Sequence, residues 1–253
     1  MLRKRIIVSL LILNDRLVKT TMFSDPIYVG DPINTVKIFN EKEVDEIMIS
    51  DIGATNNQQE PNIDLIRRIA EQANMPVCYG GGISKIHQIE KIISLGIEKI
   101  SISSAIFSNK DLILEAAKKF GSQSIVGVLD IKKDKGRYSV CINSNKINTG
   151  EDPINFAKML INQGVGEIVI NSIDLDGCRT GYDTEIASVM SDQLSVPVTV
   201  LGGCGSIDHM KDLSRISNPS GIAAGSFFIF KGKYKAVLAN YLNEVEKHEL
   251  SIL

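Results

Sequence analysis

EIMISDIGAT (Glu46–Thr55) and, further on, MPVCYGGGIS (Met75–Ser84) decide the reading of this chain, because both phrases return 121 positions later. They recur as EIVINSIDLD (Glu167–Asp176) and VPVTVLGGCGS (Val196–Ser206). Each is a short apolar run rich in Ile and Val that closes on a polar or glycine-rich turn, as a strand buried on both faces does. Self-similarity over such a distance means two like halves.

Working outward, segments of helical period separate the apolar runs: PINTVKIFNEKEV, IDLIRRIAEQA, IHQIEKIISLG and DLILEAAKKF, then PINFAKMLINQG, TEIASVMSDQL and HMKDLSRI. A closing helix is expected around Tyr234 to Val245. Strands that alternate with helices of this length form parallel βαβ units, since parallel neighbours need a long crossover. Eight such units in two similar halves predict an α/β fold, a single closed (β/α)8 barrel over residues 1–253, with half-barrels at about 1–120 and 121–245. An open doubly wound sheet would carry a G-x-G-x-x-G turn after its first strand, and none follows RIIVSLLIL.

Composition narrows the function. With 28 Lys+Arg against 30 Asp+Glu, the chain lacks the basic excess of a nucleic-acid or anionic-membrane binder. The apolar run Ile6 to Leu13 is too short to span a bilayer and has no small-residue cleavage site, so the expected location is the cytoplasm. Cys78, Cys141, Cys178 and Cys204 form no CxxC or CxxH pair, and they read as structural thiols with no metal site.

Chemistry in such a barrel sits at the C-terminal strand ends. Period-two alternation puts Arg5, Ile7, Ser9 and Leu11 on one face, with Glu46, Met48 and Ser50, Lys99, Ser101 and Ser103, Val126, Val128 and Asp130, and Glu167, Val169 and Asn171. If that face is interior, Arg5, Glu46, Lys99 and Glu167 meet at one level as two cations and two anions. They read either as a structural salt-bridge layer or as a polar plug at an entrance. At the other end Asp130 offers a carboxylate at the barrel mouth or merely caps its strand, and Asp51 orients a ligand or a loop. Asp174 and Asp176 shape the turn SIDLDG or face the ligand. Gly80-Gly81-Gly82 and Gly202-Gly203, each followed by a strand end with small residues (Ser103-Ser104; Ala224-Gly225-Ser226), leave backbone N–H groups free to hold an oxyanion. Two such sites across the mouth imply an elongated ligand with a phosphoryl group at each end.

The stretches MLRKRII, LVKT, PVCYGGGIS, EKISISSA, FGSQSIV, SIDLDGCRTGYD, LGGCGS and AAGSF together resemble the HisF family, the TIM-barrel cyclase subunit of imidazole glycerol phosphate synthase. The resemblance runs to about Asn243. It implies a barrel that receives ammonia from a HisH-like glutamine amidotransferase on its N-terminal face and uses it to split and cyclise a bisphosphate ribonucleotide, with no cofactor. It also implies that Arg5, Glu46, Lys99 and Glu167 form an ammonia gate and that Gly82, Ser104, Gly203 and Ser226 lie at the phosphate sites. Lys19 falls in a substrate-contacting loop, Asp51 and Asp176 are supporting polar residues, and Asp130 is one of a catalytic aspartate pair.

The other aspartate should close the first strand, where the family usually reads Pro-Cys-Leu-Asp. Here the words are Val8-Ser9-Leu10-Leu11. A leucine transfers no proton, and Asp15 lies beyond the strand. Ser103 and Asn171 replace the usual Asn and Thr. Entrance and cradles kept, chemistry altered: this is similar to the cyclase-like paralogues of surface-polysaccharide pathways, which act with a glutaminase and a separate sugar amidotransferase in making an acetamidino group. The alternatives are the histidine-pathway cyclase and a non-catalytic scaffold for the glutaminase.

Overall fold

The computed structural model describes residues 4–57, 59–109 and 111–251, the side chains of Thr55, Asn56 and Ser251 excepted. Strand and helix alternate through the first half as β1 (Arg5–Leu13), α1 (Pro32–Glu41), β2 (Glu46–Asp51), α2 (Ile63–Ala70), β3 (Val77–Gly80), α3 (Ile86–Ser94), β4 (Lys99–Ile102) and α4 (Asp111–Phe120). The second half repeats it as β5 (Ile125–Asp134), α5 (Pro153–Gln163), β6 (Glu167–Ser172), α6 (Thr184–Gln193), β7 (Val198–Leu201), α7 (Ile207–Ser217), β8 (Gly221–Ala224) and α8 (Glu244–Ser251). All eight barrel strands are parallel, and β8 pairs back onto β1 with Arg5 opposite Gly221, which closes the sheet. The fold is the (β/α)8 barrel expected from the repeat.

Local signals in the two halves match. Asp31 and Asp152 each cap a helix by accepting backbone N–H bonds from residues just inside it, and Pro32 and Pro153 follow at the first helical turn, where a missing N–H costs nothing. Alternation sorts the apolar side chains into two cores. Ile6, Val8, Ile47, Ile49, Ile168 and Ile170 face outward against the helices, whereas Ile7, Met48, Cys78, Val126, Val169 and Ala223 pack against one another inside the barrel. The period-two assignment of faces therefore holds. Among the described residues no helix is long and apolar enough to cross a membrane.

Three features depart from the regular pattern. After β1 a ribbon of Arg16–Thr21 and Ser24–Gly30 interrupts the run into α1, turning on residues with positive φ at Asn14, Asp15, Met22 and Phe23. After β5 a second hairpin runs through Arg137–Ile142, turning on Lys135 and Gly136.

The closing helix is the third departure and corrects the expectation of one around Tyr234 to Val245. Residues Phe230–Lys231 pair with Ala236–Val237 around a turn with positive φ at Gly232 and Lys235, and the chain then runs without regular structure to Asn243. The helix begins only at Glu244. Asn243 Oδ1 accepts from Glu246 N at 2.9 Å and Glu246 Oε2 accepts from Asn243 N at 2.8 Å, a reciprocal cap that fixes the start there. Tyr241 fastens the irregular stretch to the base of the barrel, donating to the Ile6 carbonyl at 2.8 Å.

Candidate functional site

The N-terminal end of the barrel interior carries the four charges the alternation placed there, now as a closed ring. Arg5 Nη1 reaches Glu46 at 2.6 Å and Nη2 reaches Glu167 at 2.8 Å, while Lys99 Nζ bridges the same two carboxylates at 2.9 and 3.0 Å. Glu46 and Glu167 are buried, so each depends on both cations. Burial works to raise the Glu167 carboxyl, but the hydrogen bond and charge of Arg5, with Lys99 and Thr199, outweigh it and hold the group below its ordinary value. Thr199, fully buried on β7, donates to Glu167 Oε1 at 2.7 Å. Sequence reasoning passed over this fifth member. Its signal was the inward parity of PVTVL, where the first half has Cys78.

Above the ring the interior is filled by the apolar collar of Ile7, Met48, Cys78, Val126, Val169 and Ala223. Beyond it, at the C-terminal strand ends, lies a cavity of about 710 Å³. Its walls contain Lys19, Asp51, Gly82, Ser104, Asp130, Asp176, Gly203 and Ser226, so it brings together the candidates from both halves. Leu11 lines it too.

Asp130 lies on the cavity wall, where Asn171 Nδ2 donates to it at 2.9 Å and the Ser103 hydroxyl at 3.4 Å. Burial pushes its carboxyl up to about 7, helped by the charge of Asp176 and opposed by those two donors. A carboxyl with that value exchanges protons near neutrality, as an acid or base must. The strand register shows what stands at the matching place in the first half. Asp130 lies beside Asn171 of β6, and Leu11 lies beside Ser50 of β2, the position related to Asn171 by the repeat. Leu11 is the positional counterpart of Asp130. Asp15 does not substitute, because it sits at the turn, where it accepts from Asn62 Nδ2 at 2.8 Å, and it is not among the residues that line the cavity.

The supporting polar residues have structural work. Asp51 Oδ1 accepts from the N–H groups of Gly53 and Ala54, both at 3.0 Å, and so caps the short helix Ile52–Asn56. Asp176 accepts from the Thr20 hydroxyl at 2.7 Å and, through its carbonyl, from Met22 N at 2.8 Å, which ties the first ribbon down across the mouth. That ribbon carries Lys19 inward, where its Nζ donates to the Ser9 carbonyl at 2.6 Å. Ser104 accepts from Asn143 N at 3.1 Å, and that contact holds the second hairpin's far end beside the cavity. Asp174 accepts from Lys133 N at 3.0 Å and shapes the turn.

Gly82 and Gly203 line the cavity in conformations that suit glycine. Their φ values are +68° and +99°; a Cβ on Gly82 would stand 2.5 Å from the Gln59 carbonyl oxygen, and one on Gly203 would collide with that of Gly181. Gly203→Ala is expected to cost about 1–3 kcal/mol in backbone strain and, with Gly203 at an anion site as the resemblance implies, to lose inorganic phosphate binding at the β7–β8 side. Phosphate calorimetry and urea unfolding check this, and unchanged binding would remove Gly203 from the site.

A closed (β/α)8 barrel with a cavity at the C-terminal strand ends, lined by the candidate residues of both halves, and an ion ring at the opposite end defines an α/β barrel whose candidate ligand site lies at the strand ends. The chain belongs to the HisF family: the family described as "Histidine biosynthesis protein" matches residues 5–235. It is 46% identical over 252 residues to the "Putative imidazole glycerol phosphate synthase subunit HisF" of Leptospira borgpetersenii, covering 99% of each chain. It is 48% identical over 250 residues to the "Putative imidazole glycerol phosphate synthase subunit hisF3" of Vibrio vulnificus, covering 98% of this chain and 96% of that one. With the "Imidazole glycerol phosphate synthase subunit HisF" of Clostridium botulinum strain Okra the identity is 38% over 246 residues, covering 96% and 97%.

Proposed function

We propose that this chain is the ammonia-conducting subunit of a glutamine-dependent synthase, with a HisH-type glutaminase on its N-terminal face and the nitrogen delivered at the opposite mouth. The reaction it serves is acetamidino modification of a sugar for a surface polysaccharide, completed by a separate sugar amidotransferase. The observation that carries the reading is a complete ion ring beneath a cavity in which Leu11 occupies the position matching Asp130. The apolar collar between them supports it, since an apolar layer admits neutral ammonia far more easily than ammonium. The four ring residues act as gate. The two glycine cradles, with Ser104 and Ser226, hold the phosphoryl groups of a ligand, and Asp130 is the remaining proton carrier.

The names of the relatives favour a second reading, cyclisation of a bisphosphate ribonucleotide in histidine biosynthesis. Turnover of that compound by the unaltered chain with ammonium salt would select it.

The conduit is tested by mixing the chain with a HisH-type glutaminase. A stable complex and faster glutamine hydrolysis are expected, and neither appearing would sink the proposal. Arg5→Ala is expected to keep the complex while ammonia escapes to the medium instead of entering product. Unchanged coupling in that variant would leave the chain a scaffold only.

A further inference from the structure

The two carboxylates of the charged ring are held differently. Glu46 accepts from Arg5 Nη1 at 2.6 Å and from Lys99 Nζ at 2.9 and 3.0 Å, and among the described residues no neutral donor reaches it. Glu167 accepts from the same two cations, from Arg5 at 2.8 and 3.2 Å and from Lys99 at 3.0 Å, and in addition from the Thr199 hydroxyl at 2.7 Å. That extra donor differs in kind. Arg5 and Lys99 reach the ring on long stems that are partly open to solvent, whereas Thr199 is fully buried in β7 and its branched side chain is stiff at χ1. The neighbouring strand is cut to fit it: Gly221 of β8 stands between Thr199 and Arg5 in the sheet, and a methyl there would collide with the hydroxyl. Gly221 has no positive φ, so space and not backbone conformation calls for glycine at that position.

We propose that Thr199 is a positioning residue of the ring: its hydroxyl fixes Glu167 and, through it, Arg5, so that the ring parts at Glu46. A hydrogen bond to an ionised group shifts an equilibrium roughly tenfold or more, so Glu167 leaves the ring less often than Glu46 by about that factor. Either carboxylate, once released from its cations, has to turn out to water at the base of the barrel, because a buried charge without partners is costly. Thr199 and Gly221 thus act as a matched pair that makes the opening of the ring one-sided. Its meaning for a gate rests on the conduit reading given above; the positioning of Glu167 does not.

The test is carbodiimide coupling of glycinamide to the full chain in mildly acidic buffer, with Glu46 and Glu167 read separately by peptide mapping. No glutaminase or substrate is present, so the outcome is independent of the conduit reading. In the unaltered chain Glu46 is expected to label roughly tenfold or more faster than Glu167. Thr199→Val keeps the branched shape without the donor and should raise the Glu167 rate at least about tenfold, whereas Thr199→Ser keeps the donor and should leave it slow. Equal labelling of the two carboxylates in the unaltered chain would overturn the proposal, and that comparison does not depend on a variant folding. So would a Glu167 rate that stays low in Thr199→Val, or one that rises as far in Thr199→Ser, since packing and not the hydroxyl would then be at work. With the glutaminase added, ammonia escaping from Arg5→Ala but not from Thr199→Val would keep the conduit and remove Thr199 from its gate.

Discussion

Leu11→Asp is expected to cyclise the bisphosphate ribonucleotide, with ammonium salt as nitrogen source, at least about 10²-fold faster than the unaltered chain, the usual worth of a positioned acid or base. The register gives the reason. Position 11 stands beside Ser50 as Asp130 stands beside Asn171, and both line the same cavity. The Leu11 side chain is half-buried at the edge of the cavity, so a carboxylate there is wetted and the fold tolerates it. The measurement is product formation by both proteins under saturating ammonium. A silent variant that still binds the ribonucleotide would mean that Ser103 and Asn171 have reshaped the pocket for another compound.

Asp130→Asn should lose whatever proton-transfer activity the chain has and yet become more stable at alkaline pH. The native carboxyl titrates at about 7, whereas in the unfolded chain it titrates near the ordinary aspartate value of about 3.9. Between those values the native state holds a proton that the unfolded state has released. The group therefore favours folding fully below about pH 4, and that contribution is lost as pH rises through 7. Three pH units correspond to about 4 kcal/mol at most. Asparagine keeps the shape and carries no charge; its Oδ1 accepts from Asn171 Nδ2, and its Nδ2 donates to the Ser103 hydroxyl, which can turn to accept. Urea midpoints should thus separate at pH 8, with the variant higher, and converge near pH 4. A gap that persisted at pH 4 would show that packing, not ionisation, distinguishes the two.

Much of this architecture was legible because period-two alternation and a long repeat are strong signals. Arg5, Glu46, Lys99 and Glu167 were placed at one level by parity alone, and the same count put Leu11 and Asp130 at the mouth. The two loop ribbons were not foreseen. Their strands pair locally across turns at Asn14-Asp15, Met22-Phe23 and Lys135-Gly136, and a reading tuned to strand-helix alternation passes over such short polar punctuation. The closing helix was misplaced for a related reason. The expected start at Tyr234 falls inside the KGKYK turn, which pairs Lys231 with Ala236, and the true start was written in Asn243 and Glu246. Thr199 needed coordinates, because a threonine in a strand is ordinary until its partner is known, whereas Lys19 was singled out by the family resemblance and only its bond to the Ser9 carbonyl needed them.

The charged ring has a consequence for the history of the chain. Three of its members, Arg5, Glu46 and Lys99, come from the first four strands, and only Glu167 and its donor Thr199 come from the last four. Severed between β4 and β5, the amino-terminal fragment would bury an excess cation and the carboxy-terminal fragment an orphan anion. Neither piece is electrically self-sufficient, and each carries what the other lacks. If the barrel arose by duplication of an ancestral half, this ring is where the copies ceased to be interchangeable.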